Sequence, residues 1–142
     1  MTAREGQTLR GGSVAVRFAN LVKLPHTVFA LPFALVGVTV ASYVKDVALA
    51  QLVWVVVAFT AARFAAMAFN RLADRRLDAE NPRTQDRELP RGALGTAEVA
   101  AAVAVASAVF LGAAALLNPL CLALAPVALA WVLLYSYAKR VT

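Results

Sequence analysis

Cysteine is almost missing from this chain: only Cys121 occurs, inside an apolar run. That count excludes both a disulfide framework and a cysteine-based zinc site. Acidic residues are also scarce. There are eight, and six of them crowd between Asn70 and Glu98. No internal repeat is visible, and no low-complexity tract beyond a richness in alanine and valine. The first apolar run is longer than a signal-peptide core, and no small-residue cleavage site leads from it into a soluble domain. It is therefore not read as a removable leader.

What the chain does have is apolar surface. Of its 142 residues 61% are hydrophobic, with mean hydropathy +0.70, whereas a soluble domain is about 45–50% apolar. The excess points to lipid as the solvent. Net charge is +6 and the pI about 10.3, a balance that in a soluble protein would suggest nucleic acid. Here the cations sit in short segments between apolar runs, as in the inner loops of membrane proteins. The expected partner is a lipid bilayer, and no nucleic acid.

Four apolar segments can be read, from about Leu24 to Val44, Val47 to Met67, Val99 to Leu117 and Leu120 to Tyr137. Each is near the ~20 residues that cross a hydrocarbon core as a helix. Lipid cannot satisfy an open backbone, so helix is favoured over strand. The expected fold is an all-α, polytopic transmembrane bundle over residues 24–142, with a cytoplasmic segment at 1–23 and a motif loop at 70–98. Arg4, Arg10, Arg17 and Lys23 precede the first span. Arg71, Arg75, Arg76, Arg83, Arg87 and Arg91 lie in the long joint, and Lys139 and Arg140 follow the last span. The positive-inside tendency then places both termini and the loop on the cytoplasmic side of the inner membrane. Pro32, inside the first span, predicts a kink.

The long joint carries the chemistry. Asn70, Asp74 and Asp78 are four residues apart, so on a helix each step advances only about 40° and the three share one stripe. Arg63 falls within about 20° of Asn70 on the same stripe. Two carboxylates and an amide oxygen are a partial shell for Mg²⁺, a hard ion that keeps several waters and commonly binds with substrate phosphates. Arg63, Arg83 and Arg87 could grip phosphate oxygens through bidentate hydrogen bonds. The plain alternative is a surface helix laced with weak Asp–Arg pairs. Arg63 weighs against it, because an arginine within a span needs a partner or a wet cavity. Tyr135 and Lys139 share a helical face by their spacing, but such residues also serve as ordinary boundary anchors. The lone His26 reads as an interfacial residue at a helix start.

The run Asn-Arg-x-x-Asp-x-x-x-Asp-x-x-Asn-Pro-Arg-Thr-x-x-Arg-x-Leu-Pro-x-Gly, from Asn70 to Gly92, resembles the first aspartate-rich motif of the UbiA superfamily of intramembrane prenyltransferases. Within it, the 4-hydroxybenzoate polyprenyltransferases are most similar. The stretch from His26 to Phe33 resembles the start of their first helix. Arg63 stands where they carry an arginine, and Tyr135 to Arg140 resembles the end of their fourth helix. The resemblance implies an Mg²⁺-dependent enzyme of ubiquinone or menaquinone biosynthesis. It would transfer a polyprenyl group from an allylic diphosphate to an aromatic acid such as 4-hydroxybenzoate. By the same resemblance Asn70, Asp74 and Asp78 would be the catalytic metal ligands. Arg63, Arg83, Arg87, Tyr135, Lys139 and Arg140 would bind substrate, with Arg140 toward the aromatic carboxylate.

Enzymes of this family are about twice as long and carry a second aspartate-rich motif, which nothing after Asp78 supplies. The chain is therefore expected to be the N-terminal half of such an enzyme, with a half-site that binds Mg²⁺ weakly and no turnover by itself. The alternative is a non-catalytic four-helix module that assembles with a partner. CDP-alcohol phosphotransferases also space aspartates by four, but the residues before Asp74 lack their upstream Asp-Gly frame. Haem-directed farnesyl transferases of the same superfamily usually lack the Asn-Pro-Arg-Thr run.

Overall fold

In a computed structural model, which describes residues 9–138, the chain is all-helical. Its elements are α1 (Val14–Leu21), α2 (Leu24–Ser42), α3 (Leu49–Glu80), α4 (Thr96–Leu117) and α5 (Pro119–Ala138). The last four are long and apolar enough to cross a membrane, as the hydropathy runs anticipate. Two features go beyond those runs. The N-terminal segment holds a short helix, α1. And α3 does not stop at Met67: it continues through the charged motif to Glu80, 32 residues in all, or about 48 Å at 1.5 Å per residue. Residues 70–80 are thus helix, and the connection proper is 81–95.

The break between α1 and α2 follows from Pro25. Proline has no N–H and cannot continue a helix out of α1, but it suits the first turn of the next one. Lys23 takes the turn in a left-handed conformation, φ 50°. Its carbonyl accepts from the His26 N–H at 2.9 Å. Ser13 caps the other end of α1, its Oγ accepting from the Val16 N–H at 3.3 Å.

Close packing is confined to few surfaces. Ala58, Ala61, Ala65 and Ala68 are the buried residues of α3 within its apolar part, and Val99, Val103 and Ala106 face inward from α4. Steps of three and four residues keep such side chains on one ridge. Small ones let two backbones approach, and α3–α4 is the most extensive helix pairing of the fold. At one end of this pair the core closes around Leu21, Val22, Ala68, Leu89, Leu94, Val99 and Val103. It thereby joins α1, α3, the 81–95 connection and α4. Pro32 lies inside α2, as anticipated, and Pro126 lies inside α5.

The connection is a chain of tight turns. Asn81 is extended, as a residue before proline must be, and its Oδ1 accepts from the Arg83 N–H at 3.0 Å. The Thr84 hydroxyl donates to the Asp78 carbonyl at 2.8 Å, closing the frayed end of α3. The Ala93 and Leu94 N–H groups both donate to the Glu88 carbonyl. Gly92 has φ +73°, where a side chain would be strained. Glu98, which had no role in sequence, sits at the third position of α4 and accepts from the Gly95 N–H at 2.8 Å.

Candidate active site

Helix geometry fixes the relation between the two stripes of α3. Counting 100° per residue, Arg63, Asn70, Asp74 and Asp78 all lie within about 40° of the line opposite Ala65. The alanine ridge is spent on α4, and the polar column points the other way.

Each level of that column meets a different partner. Arg63 donates from Nε to the Thr27 hydroxyl of α2 at 3.2 Å. Thr27 is buried, so the arginine has a partner within the apolar span, as its cost in lipid requires. Asn70, half-buried, lines a hollow of about 500 Å³ with Met67 and, from α5, Trp131, Tyr135 and Ser136. Asp74 and Asp78 line a second hollow of about 770 Å³ with Leu77, Glu80 and Asn81. The structure therefore keeps Asn70, Asp74 and Asp78 on one helix face, but divides them between two hollows.

Asp78 is the most enclosed of the three, 8% exposed. Its Oδ1 accepts from Arg87 Nη1 at 2.8 Å. The turns after Pro82 carry Arg87 back over the end of α3, so the motif folds on itself and joins two residues nine apart in sequence. Arg83 is exposed in the first of these turns. Tyr135 belongs to the Asn70 hollow, although its side chain is largely exposed. Lys139 and Arg140 lie outside the described residues.

Sequence reading missed several participants. Arg71, counted there only among the basic residues of the long joint, is part-buried, and its Nε makes a long contact of 3.5 Å to the Leu21 carbonyl. That acceptor is available because Pro25, four residues on, has no N–H to offer it. Burial disfavours the charge of Arg71 and Arg87 adds repulsion, which Asp78, Glu88 and Asp74 offset only in part. Glu88, within the connection, is 6% exposed. Asn20 is buried and holds the Leu9 backbone at both ends, at 2.8 and 3.0 Å. Pro25 is the one sequence signal that marks this region, since it frees a carbonyl that some donor must meet.

Two carboxylates and an amide oxygen suit a cation shared with a phosphate-bearing ligand better than one enclosed by protein. Among the described residues no group of three or more His, Cys, Asp or Glu side chains converges. The donor set is hard oxygen throughout and fits Mg²⁺ as a partial shell. Arg87 on Asp78 also brings a cation beside that donor set.

The fold has known relatives. A family model described as the UbiA prenyltransferase family matches residues 30–142. A solved structure, the apo form of a UbiA homologue from Aeropyrum pernix K1, superposes with a TM-score of 0.77 at 42% identity. The match covers 82% of this chain and 42% of the archaeal one, so the chain spans about two fifths of that relative's length. No curated protein matches. The family match takes in the whole polar column of α3 and the turns that fold back onto it, and on this ground the chain belongs to the UbiA prenyltransferase family.

Proposed function

We propose that this chain supplies the metal- and diphosphate-binding side of a prenyltransferase. The reaction would move a polyprenyl group from an allylic diphosphate to an aromatic acid, with 4-hydroxybenzoate the acceptor that the motif most resembles, in ubiquinone or menaquinone biosynthesis. The observation that carries this reading is the column Asn70, Asp74 and Asp78 on α3, with Arg87 folded back onto Asp78 at 2.8 Å.

In this reading Asn70, Asp74 and Asp78 hold Mg²⁺, whose charge would offset that of the departing pyrophosphate. Arg83 and Arg87 bind phosphate oxygens from the connection, and their fixed forks favour a trigonal array of acceptors. Arg63 carries positive charge deeper along the column, held by Thr27. Carbon–oxygen cleavage moves negative charge onto pyrophosphate, so cations already in place stabilise the transition state more than the bound substrate. The aromatic ring attacks the allylic carbon ortho to its hydroxyl, and the ring proton then leaves. Tyr135, beside Asn70, lines the approach, while Lys139 and Arg140 are proposed to reach the diphosphate and the aromatic carboxylate. Apolar helices around the cation exclude water that would otherwise capture it, and the prenyl tail lies among the spans. The basic residues of the loop and of both chain ends support a cytoplasmic placement for them at the inner membrane.

The test is transfer in membranes carrying the full-length protein, with a polyprenyl diphosphate, 4-hydroxybenzoate and Mg²⁺. Asp74→Asn should lower the rate about 100-fold, the scale of losing one preorganised charge contact. A wild-type rate in that variant would refute the assigned role.

A further inference from the structure

A third hollow, about 460 Å³, lies away from the acidic column and is walled by Gly11, Gly12, Arg17, Asn20, Arg91 and Gly92. It shares no lining residue with the Asp74–Asp78 hollow. It forms where the segment leading into α1 meets the far end of the 81–95 connection. Two arginines from segments more than 70 residues apart in sequence line it, and among the described residues no carboxylate does. Bringing two guanidinium groups together without an acid between them raises their mutual repulsion, which an anion would remove.

The hollow is built rather than accidental. Arg17 is held in place by Nη1 donating to the Ala93 carbonyl at 2.9 Å, which leaves the rest of its fork for another acceptor. Asn20, buried in the floor, fixes the incoming chain by its paired bonds to Leu9. Gly11 and Gly92 have φ +145° and +73°, and a Cβ on Gly12 or Gly92 would meet nothing within 4 Å. Glycine at these corners leaves the backbone open to close approach by a ligand. Arg91 is exposed at the rim.

We infer that this hollow is a phosphate-binding site, separate from the proposed catalytic column, which takes one phosphate group between Arg17 and Arg91. The group could belong to an anionic phospholipid or to a free phosphate compound. The short step from α1 into the first membrane-crossing helix places the hollow near the level of lipid headgroups, where basic pockets beside spans capture them.

The experiment is native mass spectrometry of the detergent-purified chain, titrated separately with phosphatidylglycerol, phosphatidylcholine and inorganic phosphate. Wild-type protein should retain one phosphatidylglycerol or one phosphate compound. Arg91→Gln should weaken that adduct about tenfold, the cost of one charge-assisted pair. Gly12→Asp, which has room for its side chain, should do the same by placing a like charge at the ligand. Arg17→Gln is informative only if circular dichroism shows the fold intact, since Arg17 also bonds Ala93; the other two variants do not depend on it. Lys45→Gln, beyond the other end of α2, should change nothing. A lipid source is shown by phosphatidylglycerol adducts that phosphatidylcholine and inorganic phosphate do not replace, and a soluble source by the reverse. Equal adduct occupancy in wild type, Arg91→Gln and Gly12→Asp would overturn the site, as would no adduct at all in the wild type.

Discussion

The two ends of the helix bundle are built on opposite terms. At the end that carries the motif, α1, the 81–95 connection, the last turns of α3 and the start of α4 pack together. They bury Leu21, Val22, Leu89, Leu94 and Val99 beside Asn20, Asp78 and Glu88. At the other end Tyr43 and Val44 are 86% and 90% exposed, and further along the spans Phe33 and Trp131 stay open as well. In water the reverse would be expected. In a bilayer an apolar side chain turned outward loses little, because lipid is as apolar as a neighbouring helix. A polar group withdrawn from water must instead find its partners inside the protein. Fold specification therefore concentrates where the charges are, and that is also where the chemistry is proposed.

That contrast can be broken by substitutions at either end. The largest effect is expected from Ala68→Phe. Ala68 is fully buried in the motif-end core, and overpacking there should cost about 3 kcal/mol. Thermal unfolding in detergent would read this as a lowered Tm. Next comes Arg87→Gln, which removes the cation paired with Asp78. It should weaken pyrophosphate binding about tenfold, measurable by calorimetry. Asn20→Ala deletes both bonds to Leu9 and should cost about 1 kcal/mol, again as a shift in Tm. Phe33→Ala, at a site 79% exposed, should change stability by no more than about 0.5 kcal/mol. A loss at Phe33 as large as that at Ala68 would erase the distinction between the two ends.

The same contrast explains what could be read from sequence. The four spans were legible because hydropathy reports lipid contact directly, and the column was legible because Asn70, Asp74 and Asp78 repeat at the helical period. Hydropathy could not carry α3 past Met67 to Glu80, since that extension is charged and is held by Thr84, Arg87 and the connection above it. Nor could it find α1, eight residues set in a polar segment and fixed by contacts to Leu89 and Leu94. The Arg87–Asp78 pair depends on turns whose direction is set by Asn81, Pro82 and Thr84 together. No single spacing in the chain announces it. The division of the column between two hollows depends on where α5 crosses α3, a tertiary fact that the local pattern does not contain.

The most direct measurement is a manganese(II) titration of the chain, followed by electron paramagnetic resonance, with and without pyrophosphate. Mn²⁺ stands in for Mg²⁺ on hard oxygen ligands. Pyrophosphate should strengthen binding by the wild-type chain, and Asp74→Asn and Asp78→Asn should each weaken it about tenfold or more, as loss of a charged ligand requires. Undiminished, pyrophosphate-dependent Mn²⁺ binding in both variants would contradict the metal-binding role proposed for the column.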